Sequence, residues 1–244
     1  MTDRLRPRQL VVVTGTGTEC GKTWVASALI GHLRRQGLRV TARKPAQSFE
    51  PGEVTDAEVL AGASGEAPGE VCPGHRWYPR ALAPPMAAEA LGRPPFTIAD
   101  LVAELVWPGA AEVGVVEGAG GVRSPLAGDG DIVDLAAAIE PDLVVLVAAP
   151  DLGTLNLVRL SADALAPWPI VVYLNRFDGG DELNRRNREW IERRMGLAVD
   201  STIGELGRRL EGRDEGPPRL PLGGRLHQSA DPAAALLQGD VEGR

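Results

Sequence analysis

Short apolar runs alternate along the chain with longer stretches in which apolar residues recur at a helical period. The apolar runs are rich in β-branched residues and predict buried strands at 10–14, 39–43, 113–117, 143–148 and 169–174. The periodic stretches predict helices at 21–36, 56–62, 86–91, 97–106, 155–165 and 181–195. Continuous apolar strands separated by amphipathic helices are typical of βαβ units. The pattern therefore predicts an α/β fold with a mainly parallel sheet flanked by helices.

The chain has 244 residues and shows neither an internal repeat nor a long linker. Since α/β folds of this length are often undivided, residues 1–204 are expected to form one domain. The segment 205–244 is richer in Gly, Pro, Arg and Glu, and its apolar pattern is weak. It is expected to be part of the same domain, as an extended edge or a loop, or a partly disordered tail.

Charge and composition narrow the class of protein. A formal net charge of -7 and a pI near 5.1 argue against a nucleic-acid partner, which usually meets a basic face. The apolar runs are too short to cross a bilayer, and the charged start resembles no signal peptide. Two cysteines, Cys20 and Cys72, make neither a disulfide framework nor a metal site. A cytoplasmic protein without membrane or nucleic-acid partners is expected.

The predicted strand 10–14 runs directly into Gly15-Thr16-Gly17-Thr18-Glu19-Cys20-Gly21-Lys22-Thr23, where a helical pattern begins. A strand, a glycine-rich turn and a helix start are the order that phosphate binding requires, because free N–H groups at the helix start face the anion. Lys22 would reach the β- and γ-phosphates, and the Thr23 hydroxyl would bind Mg²⁺. The loop is one residue longer than G-x-x-x-x-G-K-T. This motif predicts a P-loop NTPase-like fold.

Two further strand ends carry polar residues. Lys44 follows the strand 39–43, at the edge where ligands bind in open α/β sheets, although taken alone it is more simply a surface lysine. Glu117 ends the strand 113–117 and precedes a glycine-rich turn, so it is predicted to hold Mg²⁺ or orient water like a Walker B acid. Asp56 heads a predicted helix, where an acid is ordinarily a favourable N-terminal charge.

Taken together, these clusters resemble the dethiobiotin synthetase family. The family's loop G-T-x-T-x-x-G-K-T matches 15–23, its Lys-Pro-x-x-Ser element matches 44–48, and its Val-Glu-Gly-Ala-Gly-Gly element matches 116–121. The Pro-rich stretch 82–89, the Leu-Gly-x-x-Asn turn within 151–156 and the strand-end asparagine at 175 are similar to family elements as well. The ordered set covers about two thirds of the chain and is specific jointly rather than piece by piece.

The resemblance implies a reaction in which 7,8-diaminononanoate, CO₂ and MgATP give dethiobiotin, ADP and phosphate. By analogy with the family, CO₂ carbamylates one amine and the carbamate oxygen attacks the γ-phosphate. The second amine then closes the ring and expels phosphate. The protein's contribution to such a reaction is mostly positioning and charge stabilisation. A homodimer with shared sites is also implied.

The resemblance also assigns residues to this reaction. The implied catalytic residues are Thr18, Lys22, Lys44 and Ser48. The implied ATP-binding residues are Gly15, Thr16, Gly17, Thr18, Glu19, Cys20, Gly21, Lys22, Thr23 and, at the adenine, Asn175. The implied substrate-binding residues are Lys44, Ser48, Gly118, Ala119, Gly120, Gly121 and, across a dimer interface, Asn156. Thr23, Asp56 and Glu117 would hold Mg²⁺ as a set of oxygen ligands, which suits a hard cation.

Other functions remain open on the sequence. A MinD/ParA-like switch ATPase generally carries a second lysine early in the loop, and Thr16-Gly17-Thr18 has none. An amidoligase of the cobyrinic-acid type normally adds a glutaminase domain, for which the chain has no room after Asn175. A non-catalytic nucleotide-binding module would not need Lys44, Ser48 and Glu117 in order. A paralogous P-loop ligase acting on another substrate also stays possible.

Overall fold

Six parallel strands form one sheet with helices on both faces, in a computed structural model that describes residues 6–211. The strand order is β2-β5-β1-β6-β7-β8. These strands are β1 (Gln9–Gly15), β2 (Val40–Arg43), β5 (Val113–Glu117), β6 (Leu143–Ala148), β7 (Ile170–Leu174) and β8 (Ala198–Asp200). The short strands β3 (Gln47–Ser48) and β4 (Trp77–Tyr78) pair separately. The predicted α/β fold with a parallel sheet is confirmed.

Nine helices are present among the described residues, together with a 3₁₀ turn at Gly74–Arg76. They are α1 (Lys22–Arg35), α2 (Asp56–Ser64), α3 (Pro68–Val71), α4 (Pro84–Ala90), α5 (Ile98–Glu104), α6 (Ile132–Ile139), α7 (Thr154–Ala164), α8 (Glu182–Met195) and α9 (Ile203–Glu211). All six predicted helices are confirmed within a few residues at each end. None of the helices in the described part of the chain is long and apolar enough to span a membrane.

Alternation along β1 separates two hydrophobic cores. Leu10 and Val12 pack on one face of the sheet with α4 to α8, and Val11 and Val13 pack on the other with α1, α2 and α9. Both faces of the strand are buried, so every residue from Leu10 to Val13 is apolar, as expected for a central parallel strand. The parallel strands between these two layers of helices have their carboxyl ends, including those of β1, β2, β5 and β7, along one edge of the sheet.

Helix α9 crosses the expected boundary after residue 204. It buries Leu206 and Leu210 in the core that α1 also lines. The part of the C-terminal segment that the structure describes is therefore helical and packed, rather than an extended edge or a loop. Its remainder, residues 212–244, lies outside the described residues, as do residues 1–5.

The sheet edge at β2 is held by hydrogen bonds to Glu66, which follows α2. Its carboxylate accepts hydrogen bonds from the Thr41 hydroxyl, the Ala42 N–H and the Arg43 guanidinium, the last two at 2.8 and 2.7 Å. Arg43 also lies 5.3 Å from the ring centroid of Trp107. Burial alone would raise the pKa of Glu66, but these donors outweigh burial and hold that pKa below its usual value. The contact fixes the backbone immediately before Lys44.

We expect Glu66→Gln to lower the free energy of unfolding by about 1–3 kcal/mol, because one charged acceptor of a half-buried network is lost. An unfolded glutamate has a pKa of about 4.3, and the folded pKa of Glu66 is lower. Its stabilisation is therefore complete above that value and is lost as the pH falls through the folded pKa. Urea unfolding should show the deficit at pH 7 and a smaller one near pH 3. Glu89→Gln, at an exposed residue of α4, is the control, and an equal deficit in both variants would contradict the assignment.

Candidate active site

The loop after β1 ends in a helix start that no side chain caps. Gly21 precedes α1 with φ of 94°, a left-handed conformation that favours glycine, and neither a side-chain cap nor an acid occupies the first turn. By contrast, Thr55 caps α2 and Asp181 caps α8. The first N–H groups of α1 are thus left for an anion, which the helix dipole also favours.

Contacts within the loop hold it ready for phosphate. The Lys22 ammonium folds back and donates to the Gly17 carbonyl at 2.8 Å, and the Cys20 thiol lies 3.3 Å from the same oxygen. A Cβ at Gly15 would lie 2.3 Å from the Cys20 sulfur, so the close turn requires glycine there. Burial lowers the pKa of Lys22, and a bound phosphate would offset this cost by supplying negative charge.

Beside the loop, two carboxylates converge on the Thr23 hydroxyl. Its oxygen lies 2.8 Å from Asp56 Oδ1 and 2.8 Å from Glu117 Oε1. The hydroxyl has one proton, so it donates to one carboxylate at a time. Asp56 begins α2, Glu117 ends β5 and Thr23 lies in the first turn of α1, so three separate elements meet at this point.

The Lys44 ammonium forms ion pairs with both carboxylates. Its Nζ lies 2.6 Å from Asp56 Oδ2 and 2.7 Å from Glu117 Oε1, and it donates to the Gly118 carbonyl at 2.8 Å. Lys44 is 1% exposed and Glu117 is fully buried, so the interpretation of Lys44 as a surface lysine is wrong. Burial alone would lower the pKa of Lys44, but Glu117 and Asp56 outweigh burial and raise that pKa. Lys44 is therefore a permanent cation.

Both lysines of the chain belong to this site. The sequence holds 26 Lys and Arg residues, and only Lys22 and Lys44 are lysines. An ammonium is a compact point charge that three acceptors can surround, whereas a guanidinium is a planar fork. The point charge of a lysine therefore suits the closely spaced acceptors of this site better than the planar guanidinium of an arginine would.

The residues of this cluster suit a hard divalent cation. Thr23, Asp56 and Glu117 offer oxygen atoms, and the second carboxylate oxygen of Glu117 is buried without a hydrogen-bond partner. Among the described residues, no group of three or more His, Cys, Asp and Glu could hold a metal ion by itself. A cation bound here would therefore complete its shell with hydroxyl, water and phosphate oxygens, as Mg²⁺ prefers.

The glycine turn after β5 lies against the phosphate loop. The Gly118 N–H donates to the Val13 carbonyl at 3.0 Å, and a Cβ at Gly121 would lie 3.4 Å from the Gly17 Cα. Gly120 adopts φ of 68°, which allows the chain to turn there. The predicted stretch 118–121 is thus brought to the same edge as Lys22 and Lys44.

The remaining predicted residues lie in four different elements or loops of the fold. Thr18 and Glu19 form the exposed tip of the loop, and Ser48 lies in β3 shortly after Lys44. Asn175 follows β7 and supports the loop, because its Nδ2 donates to the Cys20 carbonyl at 2.9 Å. Asn156 is exposed in the first turn of α7, and no contact links it to the Lys44 cluster in the described part of the chain. The functions assigned to these residues stay predictions.

One buried side chain at this edge was missed by the sequence analysis. Gln47 is 1% exposed, and its Oε1 accepts from the Ala57 N–H at 2.9 Å. It occupies an unspecified position of the Lys-Pro-x-x-Ser element, so the motif predicts no function for it. Its neighbours Ala46 and Ser48 are small residues, and nothing in this stretch of sequence marks Gln47 as buried.

Comparison with known proteins identifies the family. A family model described as an AAA domain matches residues 9–175. The ATP-dependent dethiobiotin synthetase BioD of Haloferax mediterranei is 39% identical over 193 residues, which are 77% of this chain and 80% of that protein. The chain belongs to the dethiobiotin synthetase family.

Other members agree with this placement. The ATP-dependent dethiobiotin synthetase BioD of Mycobacteroides abscessus is 35% identical over 82% of this chain and 89% of its own length. That of Corynebacterium efficiens is 38% identical over 64% and 69%. The family resemblance inferred from the motifs is confirmed by these relatives.

Among solved structures, the signal recognition particle receptor FtsY from Elizabethkingia anophelis is 13% identical, with a TM-score of 0.48 over 82% of this chain and 62% of that one.

In this member of the dethiobiotin synthetase family, the charges around Asp56 and Glu117 should control how tightly a divalent cation binds. Two ammonium groups already offset Asp56 and Glu117, so we expect Mg²⁺ or Mn²⁺ alone to bind weakly and an ATP analogue to strengthen its binding. Lys44→Met should tighten binding of Mn²⁺ alone at least about tenfold, since unit charges 4 Å apart interact by about 4 kcal/mol at an effective dielectric constant of 20. Electron paramagnetic resonance titration of free Mn²⁺ measures both effects.

The control variant for this titration is Arg80→Met, which removes an exposed cation from a loop. Unchanged Mn²⁺ affinity in Lys44→Met, or an equal gain in Arg80→Met, would show that the metal does not use the Asp56–Glu117 pair.

Proposed function

We propose that this protein is an ATP-dependent dethiobiotin synthetase, a cyclo-ligase of biotin biosynthesis acting on 7,8-diaminononanoate, CO₂ and ATP. The observation that carries this proposal is the buried Lys44 ammonium, which lies against both Asp56 and Glu117 beside the uncapped start of α1. A phosphate loop alone is common to many ATPases. A second fixed cation beside it suits a reaction that brings a carboxylate-like nucleophile to the γ-phosphate.

The reaction proceeds in three steps. An amine nitrogen adds to the carbon of CO₂, and the nitrogen loses a proton, which leaves a carbamate. A carbamate oxygen then bonds to the γ-phosphorus while the bond to the ADP oxygen breaks. The second amine attacks the carbonyl carbon, its proton is lost, and phosphate leaves as the ring closes.

The chain's own groups fit the charges that these steps create. Lys44 remains protonated because its pKa is raised, so it stabilises negative charge and does not act as a base. Lys22 would exchange the Gly17 carbonyl for a phosphate oxygen, and the free N–H groups of α1 would bind the same phosphates. Thr18 and Ser48 would border the diamine, and the backbone at 118–121 would line its other side.

Thr23, Asp56 and Glu117 would hold Mg²⁺, which would supply positive charge to the β- and γ-phosphates when bound. Lys44 contacts both carboxylates, so its ammonium would lie beside the bound metal and add positive charge there. Asn175, which supports the loop through Cys20, would reach the adenine from the end of β7.

A homodimer is the second part of the proposal. Helix α7 follows Gly153 and has neither a side-chain cap nor an acid in its first turn, as is also true of α1. The apolar side chains of Leu152, Leu157 and Leu160 are exposed nearby, with Leu152 at 88%. A second copy that covered this patch would bring Asn156 and the free N–H groups of α7 to the substrate's distal carboxylate.

We also propose that the protein works in the cytoplasm without nucleic-acid or membrane partners. Its net charge of -7 opposes binding to polyphosphate backbones and anionic lipid.

The function is tested by measuring phosphate release from MgATP and bicarbonate with and without 7,8-diaminononanoate. We expect release to require the diamine and to equal the dethiobiotin formed, while Lys44→Ala loses at least about a hundredfold in kcat and still binds ATP. Release that ignores the diamine would favour a switch ATPase or a ligase with another substrate. Normal turnover by Lys44→Ala would contradict the charge-stabilising function of this lysine.

The dimer is tested by Leu160→Glu, which places a charge within the exposed apolar patch of α7. We expect this variant to sediment as a monomer and to show a KM for the diamine raised at least about tenfold, with the KM for ATP little changed. Val106→Glu, at an exposed apolar residue on another surface, is the control and should sediment as the unmodified protein does. A monomeric unmodified protein with full activity would exclude the shared site.

A further inference from the structure

An open cavity of about 530 Å³ lies outside the candidate active site, between the 3₁₀ turn Gly74–Arg76 and the segment 93–96. Tyr78 and Asp100 complete its lining. None of these residues belongs to the phosphate loop or to the cluster around Lys44, so the proposed function does not use the cavity. Cavities that bind small organic ligands have volumes of roughly 300–1,000 Å³, and this one is within that range.

The apolar wall of the cavity is rigid. Pro94 and Pro95 are exposed there, and their rings fix the backbone and offer apolar surface. Behind them, Tyr78 and Phe96 are 1% and 3% exposed, and their rings stack with centroids 5.8 Å apart. An apolar ligand body would therefore meet a preformed surface.

Arg76 is a buried cation whose charge is already paired. Its guanidinium donates to both carboxylate oxygens of Glu104 at 2.8 and 2.7 Å, and its guanidinium carbon lies 4.4 Å from the Phe96 ring centroid. A ring nitrogen of His75 also lies 3.0 Å from Glu104. Arg76 and Glu104 thus hold the wall together, and they leave little charge for a ligand.

Arg93 is the cation of this cavity that remains available to an anion. One terminal nitrogen donates to the carbonyls of Trp77 and His75 at 2.8 and 3.3 Å, and the guanidinium carbon lies 5.3 Å from the Tyr78 ring centroid. Among residues 6–211, no carboxylate pairs with Arg93, and its Nε and second terminal nitrogen donate to no other residue. Such a planar pair of donors matches the two oxygens of a carboxylate.

Asp100 limits the charge of the anion that the cavity can take. Its carboxylate accepts hydrogen bonds from the Thr97 N–H and hydroxyl, both at 2.8 Å, in the capping box of α5. It lines the same cavity as Arg93, so it would repel a multiply charged phosphate ester more strongly than a single carboxylate. One cation and one anion thus favour a singly charged ligand.

We propose that this cavity is a second ligand site, which binds a monocarboxylate with an apolar chain through Arg93. The proposed reaction supplies one such molecule as its product, dethiobiotin, and medium-chain fatty acids share the same chemistry. The site is one strand away from a predicted substrate residue, because Tyr78 pairs with Ser48 between β4 and β3. The assignment of dethiobiotin rests on the proposed function, whereas the carboxylate site itself does not.

The site is tested by equilibrium dialysis of the protein against dethiobiotin and, separately, against nonanoate. We expect at least one probe to bind at a site that Arg93→Gln weakens at least about tenfold, because charge-assisted hydrogen bonds are lost. Arg80→Gln, at an exposed loop arginine, is the control and should bind as the unmodified protein does. An Arg93-dependent site for dethiobiotin would assign the cavity to the product, and one for nonanoate alone would assign it to fatty carboxylates.

A second variant, Gly74→Trp, narrows the cavity and keeps Arg93. A Cβ added at Gly74 meets no atom within 4 Å, so the indole would enter open space at the lining of the cavity. We expect it to block the same probe. Gly69→Trp on α3 is the matched control, since a Cβ there also meets nothing within 4 Å and Gly69 does not line the cavity.

Unchanged probe binding in Gly74→Trp, or in a folded Arg93→Gln, would overturn the site, as would an equal loss in the two controls. If the unmodified protein forms dethiobiotin while both variants bind the probes normally, the proposed function stands and the second site is excluded. If it forms no dethiobiotin, the proposed function fails, and nonanoate binding that both variants lose would still establish the carboxylate site.

Discussion

The ion pair between Lys44 and Glu117 is the constraint on which the rest of the site depends. Both side chains are buried, and each charge offsets the several kcal/mol that the desolvation of the other would otherwise cost. Lys44 follows β2 and Glu117 ends β5, so the pair requires these neighbouring strands to keep their parallel register. Asp56 then joins through α2 and Thr23 through α1. The cluster of Thr23, Lys44, Asp56 and Glu117 thus centres on one pair of opposite charges.

This arrangement explains why a fold shared by many nucleotide-binding proteins is suited here to a ligase. The phosphate loop provides an anion site that comes from backbone geometry alone, through the uncapped start of α1 and the left-handed Gly21. The adjoining half of the site comes from side chains on β2, α2 and β5. Phosphoryl transfer needs the phosphate loop, whereas the choice of nucleophile depends on the side chains from β2, α2 and β5.

Much of the fold could be predicted from the sequence because it rests on local signals. The apolar runs at 113–117 and 143–148 have the bounds of β5 and β6, and the glycine-rich loop follows β1 as its motif requires. Helix α6 was missed because it has only eight residues, little more than two turns, although its buried residues Ile132, Leu135 and Ala136 lie at helical spacing. Strand β8 has three residues, and β3 and β4 have two each, so their pairing depends on distant partners. The burial of Lys44 was missed for the same reason, since Glu117 lies 73 residues away.

The edges of the sheet show how this protein avoids pairing with other strands. Residues 42 and 44 direct their N–H groups away from β5, and these are taken by the Glu66 carboxylate and the Val71 carbonyl. An open edge would offer such groups to any extended chain nearby. At the opposite edge, β8 is too short to serve as a template of useful length. The carboxylate that steadies the backbone before Lys44 thus also protects the protein from aggregation through its own sheet.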